Sequence, residues 1–207
     1  MSMLRIIRVT AWTTVAVLLG ILIGAGGTLL LEQRRTAAIK PPTNVATIGG
    51  PFRLTSHKGE TVDNAWLAGK PYLVFFGFTH CPDVCPTTLF ELTELMKELG
   101  ATADRFNVIF VTVDPERDNQ QLLAEYMSSF DERILALRGG REETDAVIKA
   151  FAAFARKVPT QGGNYTMDHT AGVYVMNADG RFANMLDIHE SREMRLGKLR
   201  RIADANN

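Results

Sequence analysis

Apolar and polar positions follow one another in blocks along this chain, and the period changes from block to block. The first block, Val9 to Leu31, is 23 consecutive positions without Asp, Glu, Lys or Arg. At helical rise such a run spans about 34 Å, enough to cross a bilayer core. A membrane anchor is expected over residues 9–31. The alternative, a cleaved signal peptide, has an apolar region of only about 7 to 15 residues. Trp12 stands near one end, as interfacial aromatics do, and Gly20 and Gly24 form a small-residue pair that could pack two anchors together. Residues 32–47 carry Pro41-Pro42 and no sustained period, which reads as a linker. The globular domain is expected over 48–207.

Within that domain Phe52-Arg53-Leu54 and Glu60-Thr61-Val62 flank the turn His57-Lys58-Gly59, an opening hairpin with His57 in solvent. Tyr72 to Phe78 is a continuous apolar run, the signature of a strand buried on both faces. After Pro86 the positions Leu89, Leu92, Leu95, Met96 and Leu99 recur at helical spacing, and Gly100 supplies a stop. Val108 to Val113 predicts a second buried strand. Asp118 is expected to cap the next helix, whose apolar positions are Leu122, Leu123, Tyr126, Met127 and Phe130. Ile134 to Leu137 reads as a short edge strand. Val147, Ile148, Phe151, Phe154 and Ala155 mark a further helix. Val158 to Thr170 is a loop of 13 residues, long enough to suspect function. Gly172 to Met176 and Arg181 to Leu186 pair across Asn177-Ala178-Asp179-Gly180, and Glu190 to Ala205 reads as a closing helix. Strands alternating with helices predict an α/β domain, a central mixed sheet flanked by helices.

The 207 residues carry 23 basic and 23 acidic side chains, so nothing argues for a nucleic-acid partner. Arg5 and Arg8 precede the apolar block while Arg34, Arg35 and Lys40 follow it, and charge alone does not orient the anchor. A single anchor at the start of the chain, with everything else behind it, most often delivers the domain across the membrane. Residues 1–8 are therefore assigned to the cytoplasm and the domain to the far side.

The chemistry concentrates where the first buried strand ends. The chain's 2 cysteines, Cys81 and Cys85, lie in a turn bracketed by Pro82 and Pro86. Pro86 suits a first helical turn, which puts Cys85 at the expected cap, where the helix dipole would favour its thiolate. Sites in open sheets form at the carboxyl ends of parallel strands. Cys81 follows one such strand, Asp114 ends another, and the long loop brings His169 to the terminal hairpin. Two thiolates and an imidazole suit copper, and a three-coordinate set fits Cu(I). Zinc would want a fourth ligand, for which Asp83 or Asp168 is available. His80 adjoins Cys81 but neighbours at a strand end point to opposite faces. Met167, Met176, Met185 and Met194 recur every nine residues, which matches no clean face of a helix or strand and reads as core filling.

These residues resemble the Sco/SenC proteins, membrane-tethered copper proteins of cytochrome c oxidase assembly. The resemblance runs through IGGPF with Leu54 and Gly59 at 48–59, GFTHCPDVCPTTL at 77–89, VTVDPERD at 111–118 and MDHTAGVYVMNADGRF at 167–182. It implies a thioredoxin-like fold with an N-terminal hairpin and a long loop insertion, and Cys81, Cys85 and His169 as ligands of one copper ion, Cu(I) or Cu(II). Asp114 matches a family acidic position near the site and is a candidate supporting group. The implied role is delivery of copper to the dinuclear copper site of oxidase subunit II, or reduction of that site's cysteines by Cys81 and Cys85. The implied partners are subunit II and an upstream periplasmic copper donor or thiol reductant. The chain departs from the family after Phe182, where ANMLDIHES replaces an expected aromatic-glycine pattern. Lacking an Arg- and Ser-rich transit sequence, it is assigned to a bacterial inner membrane with its domain in the periplasm. A thiol peroxidase, the remaining class, would want an activating Arg in the cysteine turn, and the turn has none.

Overall fold

The computed structural model describes residues 48–205. The expected anchor and linker lie outside them, and among the described residues no helix is long and apolar enough to cross a membrane.

The elements run β1 (Arg53–Ser56), β2 (Thr61–Asp63), α1 (Asn64–Leu67), β3 (Tyr72–Gly77), α2 (Val84–Leu99), β4 (Asn107–Thr112), α3 (Gln120–Met127), β5 (Ile134–Arg138), α4 (Arg141–Ala150), β6 (Ala155–Pro159), β7 (Tyr165–His169), β8 (Val173–Met176), β9 (Phe182–Leu186) and α5 (Arg192–Asp204). Seven strands form one sheet in the order β2-β1-β5-β4-β3-β8-β9. Its centre is parallel, with Tyr72 to Gly77 of β3 facing Asn107 to Thr112 of β4, and β4 paired in turn with β5. β8 joins β3 antiparallel, as β1 joins β5. This is the expected mixed sheet.

β3 is central because every one of its residues is buried. Its alternation sends Phe75 against Phe110 and Phe76 against Phe151 and Tyr174. In α2, Leu89, Leu92, Leu95, Met96 and Leu99 form the buried stripe, as the spacing predicts.

Several local expectations are corrected. Ile134 to Leu137 is fully buried and lies between β4 and β1, so β5 is internal. The 158–170 loop is instead most of a two-stranded antiparallel ribbon, β6–β7. The cap of α3 is Asn119, whose side chain accepts from the Leu122 N–H; Asp118 is turned inward. α4 ends at Ala150, leaving Phe154 beyond the helix and Ala155 in β6. His57 is half-buried, its Nδ1 accepting the Ala136 N–H at 3.1 Å, and burial lowers its pKa from the ordinary value. α2 begins at Val84, so Cys85 lies inside its first turn and not at the cap.

Candidate metal centre

β3 delivers the chain to the turn through Phe78, and the Cys81 N–H closes on the Phe78 carbonyl at 3.3 Å. α2 then starts without a side-chain cap from Asp83. The Cys85 N–H, one of the unpaired donors of the first turn, points instead at Cys81 Sγ, 3.4 Å away. The Cys81 sulfur thus takes the place a capping oxygen usually holds. Hydrogen bonding from the Cys85 thiol holds the Cys81 pKa down to about 3, burial opposes this, and backbone N–H groups of the turn assist. Cys85 responds in the opposite sense. Its thiol donates to Cys81 and is fully buried, and both effects push its pKa up. The sequence reading assigned the activated thiolate to Cys85; the geometry assigns it to Cys81.

Gly77 makes room for the second sulfur. A Cβ there would stand 2.8 Å from Cys85 Sγ and 2.6 Å from the Phe110 ring.

His169 arrives from the end of β7. Its Nδ1 lies 3.0 Å from the Thr170 carbonyl oxygen, which can only accept, so the proton sits on Nδ1. Nε2 keeps its lone pair and lies 3.4 Å from Cys85 Sγ. Edge contacts with Phe75 and Phe78, at 6.3 and 5.7 Å between ring centres, hold the imidazole. The donor atoms of Cys81, Cys85 and His169 all lie within 4.8 Å of one another and could hold a metal ion. A cleft of about 250 Å³ between Val84 and Asp168 leads to them.

The other candidates stay outside this group. His80 is exposed and turns its Nδ1 to the Thr79 hydroxyl. Asp83 meets Thr87, and Asp168 pairs with Arg156. Asp114 is fully buried and accepts from Arg117 and the Tyr165 hydroxyl. The residue missed by sequence reasoning is Asp118. Fully buried, it accepts from the Thr79 N–H at 3.1 Å, the Thr79 hydroxyl at 2.6 Å and the Thr112 hydroxyl at 2.5 Å. These bonds tie the start of the thiol turn to the end of β4. Asn119, the better cap, was the available signal that Asp118 was free for other work.

The SCO1/SenC family profile matches residues 40–204. The chain belongs to the SCO1/SenC family. Its relatives include the human mitochondrial SCO1 homolog, 36% identical over 155 residues, covering 73% of this chain and 50% of that protein. The SCO2-like protein RP587 of Rickettsia prowazekii is 32% identical over 197 residues, 90% of this chain and 96% of that one. The chain spans about half the length of the human and mouse SCO1 homologues. Copper-bound ScoI of Bradyrhizobium japonicum superposes with a TM-score of 0.71 at 48% identity, over 75% of this chain and 99% of ScoI. The mixed sheet with its flanking helices is thus the thioredoxin-like fold of the Sco proteins.

Proposed function

We propose that this SCO1/SenC protein is a copper metallochaperone that takes one ion on Cys81, Cys85 and His169 and passes it to the dinuclear copper site of cytochrome c oxidase subunit II. The observation that carries the reading is the convergence of two sulfurs and a histidine nitrogen within 4.8 Å, with the histidine proton held on the far side of the ring. Copper-bound ScoI, at 48% identity, supports the choice of metal. So does the donor set, soft and three-membered, with no carboxylate in the group to complete a zinc tetrahedron. Copper here is cargo. Cys81 already holds a thiolate, while Cys85 must lose its proton for the ion to bind, so loading strengthens as pH rises. Residues 9–31 anchor the protein in a bacterial inner membrane, and the domain works in the periplasm beside an upstream copper donor or thiol reductant. Asp114 supports the ligands from behind, through neighbours and not by coordination.

The test is Cu(I) competition against a chromophoric chelator on the reduced protein. One ion per chain is expected, and Cys81→Ala, Cys85→Ala and His169→Ala should each abolish tight binding. Tight binding retained by all three would end the proposal.

The polarised thiol pair favours a second reading, reduction of the cysteines of the same oxidase site. The Cys81 thiolate attacks a substrate disulfide and forms a mixed disulfide, releasing one substrate thiolate. Cys85, giving its proton to that thiolate, then attacks the Cys81 sulfur and frees the second substrate sulfur as thiolate, which solvent protonates. Two electrons pass to the substrate, and a Cys81–Cys85 disulfide remains. His169→Ala should keep this activity, whereas either cysteine variant should lose it.

A further inference from the structure

The ribbon that carries His169 is not part of the main sheet. β6 and β7 exchange ladder bonds with each other, Ala155 against His169 through Pro159 against Tyr165, and form a separate two-stranded sheet. No backbone ladder therefore sets how far the histidine stands from the thiols. Strand alternation puts Tyr165, Met167 and His169 on one face of β7, and Met167 is buried there in the core.

Side chains of the segment after β4 meet the other end of that face. The Arg117 Nε–H donates to the Asp114 carboxylate, and its Nη1–H donates to the Tyr165 carbonyl at 2.9 Å. The guanidinium lies over the Tyr165 ring, 3.8 Å from its centre. The Tyr165 hydroxyl closes the circuit by donating to the second Asp114 oxygen at 2.9 Å. Lys157 of β6 pairs with Glu116 beside it. The guanidinium also stands 5.8 Å from the centre of the Phe78 ring, the same ring that packs edge-on against His169. Arg117 thus touches both the strand end leading to Cys81 and the ribbon ending in His169.

We propose that Arg117 is a positioning residue for the third donor. With Asp114 and Tyr165 it locks the ribbon so that His169 Nε2 is preset against the sulfurs before the ion arrives. The inference rests on the copper reading above. Lysine cannot replace it, because one ammonium lacks the planar fork that serves Asp114 and the Tyr165 carbonyl together while stacking on the ring.

The experiment is a double-mutant cycle on the full, reduced chain, read as Cu(I) affinity by chelator competition. Arg117→Gln should weaken binding by about 10- to 100-fold, the range for residues that orient metal ligands, and Arg117→Lys should not restore it. In a His169→Ala background the same Arg117→Gln change should have no further effect, because Arg117 acts only through the histidine. A general loss of folding would instead weaken both backgrounds alike and would overturn the proposal, as would wild-type affinity in Arg117→Gln. The metal-free protein gives an independent readout: the His169 imidazole NMR signals should shift or broaden in Arg117→Gln, and unchanged signals count against the lock. Should the lone Asp114 carboxylate unfold that variant, Asp114→Asn with Arg117→Gln removes both charges and should show the same pattern. If His169→Ala alone leaves copper binding intact, His169 is no ligand and the positioning role for copper falls, and the NMR comparison still decides whether Arg117 holds the ribbon.

Discussion

Gly77→Ala is the sharpest test of how the sulfurs are housed. Its Cβ would arrive 2.8 Å from Cys85 Sγ and 2.6 Å from the Phe110 ring, where ordinary contact begins near 3.4 Å. Neither neighbour can yield freely, since Phe110 and Cys85 are both fully buried. A displacement of about 0.6 to 0.8 Å is needed, and overpacking of this kind destabilises by about 1–3 kcal/mol. For a domain of this size each kcal/mol lowers Tm by roughly 2–4 °C, so the melt should fall by roughly 2–12 °C. Because the sulfur itself is pushed, Cu(I) affinity should drop by about tenfold as well, within the range for altered ligand orientation. Thermal unfolding of the reduced, metal-free protein and chelator competition measure the two effects. Gly197→Ala is the control: this helical glycine has no crowding atom nearer than 3.8 Å, and the change should stabilise by up to about 1 kcal/mol. A Gly77→Ala protein that melts and binds copper like the parent would refute the packing argument.

Asp118→Ala should destabilise by about 3 kcal/mol or more in urea unfolding, since it strands the Thr79 and Thr112 donors, whereas Asp118→Asn keeps an acceptor and should lose less. Alkylation of Cys81 in the reduced, metal-free protein should be nearly independent of pH from about 8 down to about 5, because a thiolate with its pKa near 3 stays charged there; Cys85→Ala, which removes the donor, should restore a steeper fall. His57, its pKa lowered first by burial, takes up its proton in the unfolded chain before the folded one. Its contribution to stability is therefore complete above about pH 6.5 and is lost as pH falls below it, and His57→Asn should flatten that part of the urea-midpoint profile.

The sequence made the core strands and the thiol turn plain because their signals are local. The run from Tyr72 to Phe78 and the turn from Asn177 to Gly180 name their own structures. β5 was misplaced although its apolar run is as continuous as that of a central strand; sheet order depends on which strands meet, and that is not local. The β6–β7 ribbon escaped because exposed charges fall on both of its faces, Arg156 and Asp168 on one and Lys157 on the other, so no apolar alternation stands out. The cysteines and His169, 84 positions apart between Cys85 and the imidazole, were brought together by an inference about topology and by the family resemblance, and the fold supplies the distance. The direction of thiol polarisation was illegible, because it turns on which thiol donates to the other, with the helical Cys85 N–H adding to the same side, rather than on any residue type.

The separate ribbon has a consequence for how the domain opens. Cys81 and Cys85 lie in the turn after β3 and in α2, which pack with the main sheet, while His169 belongs to a two-stranded piece whose amides can exchange without breaking that sheet. A ligand held by all three would rivet two units of unequal local stability. Its occupancy should then be written in the exchange rates of ribbon amides such as Arg156 and Asp168, which face each other as a bonded pair of the ladder, while those of β3 and β4 stay at the global limit.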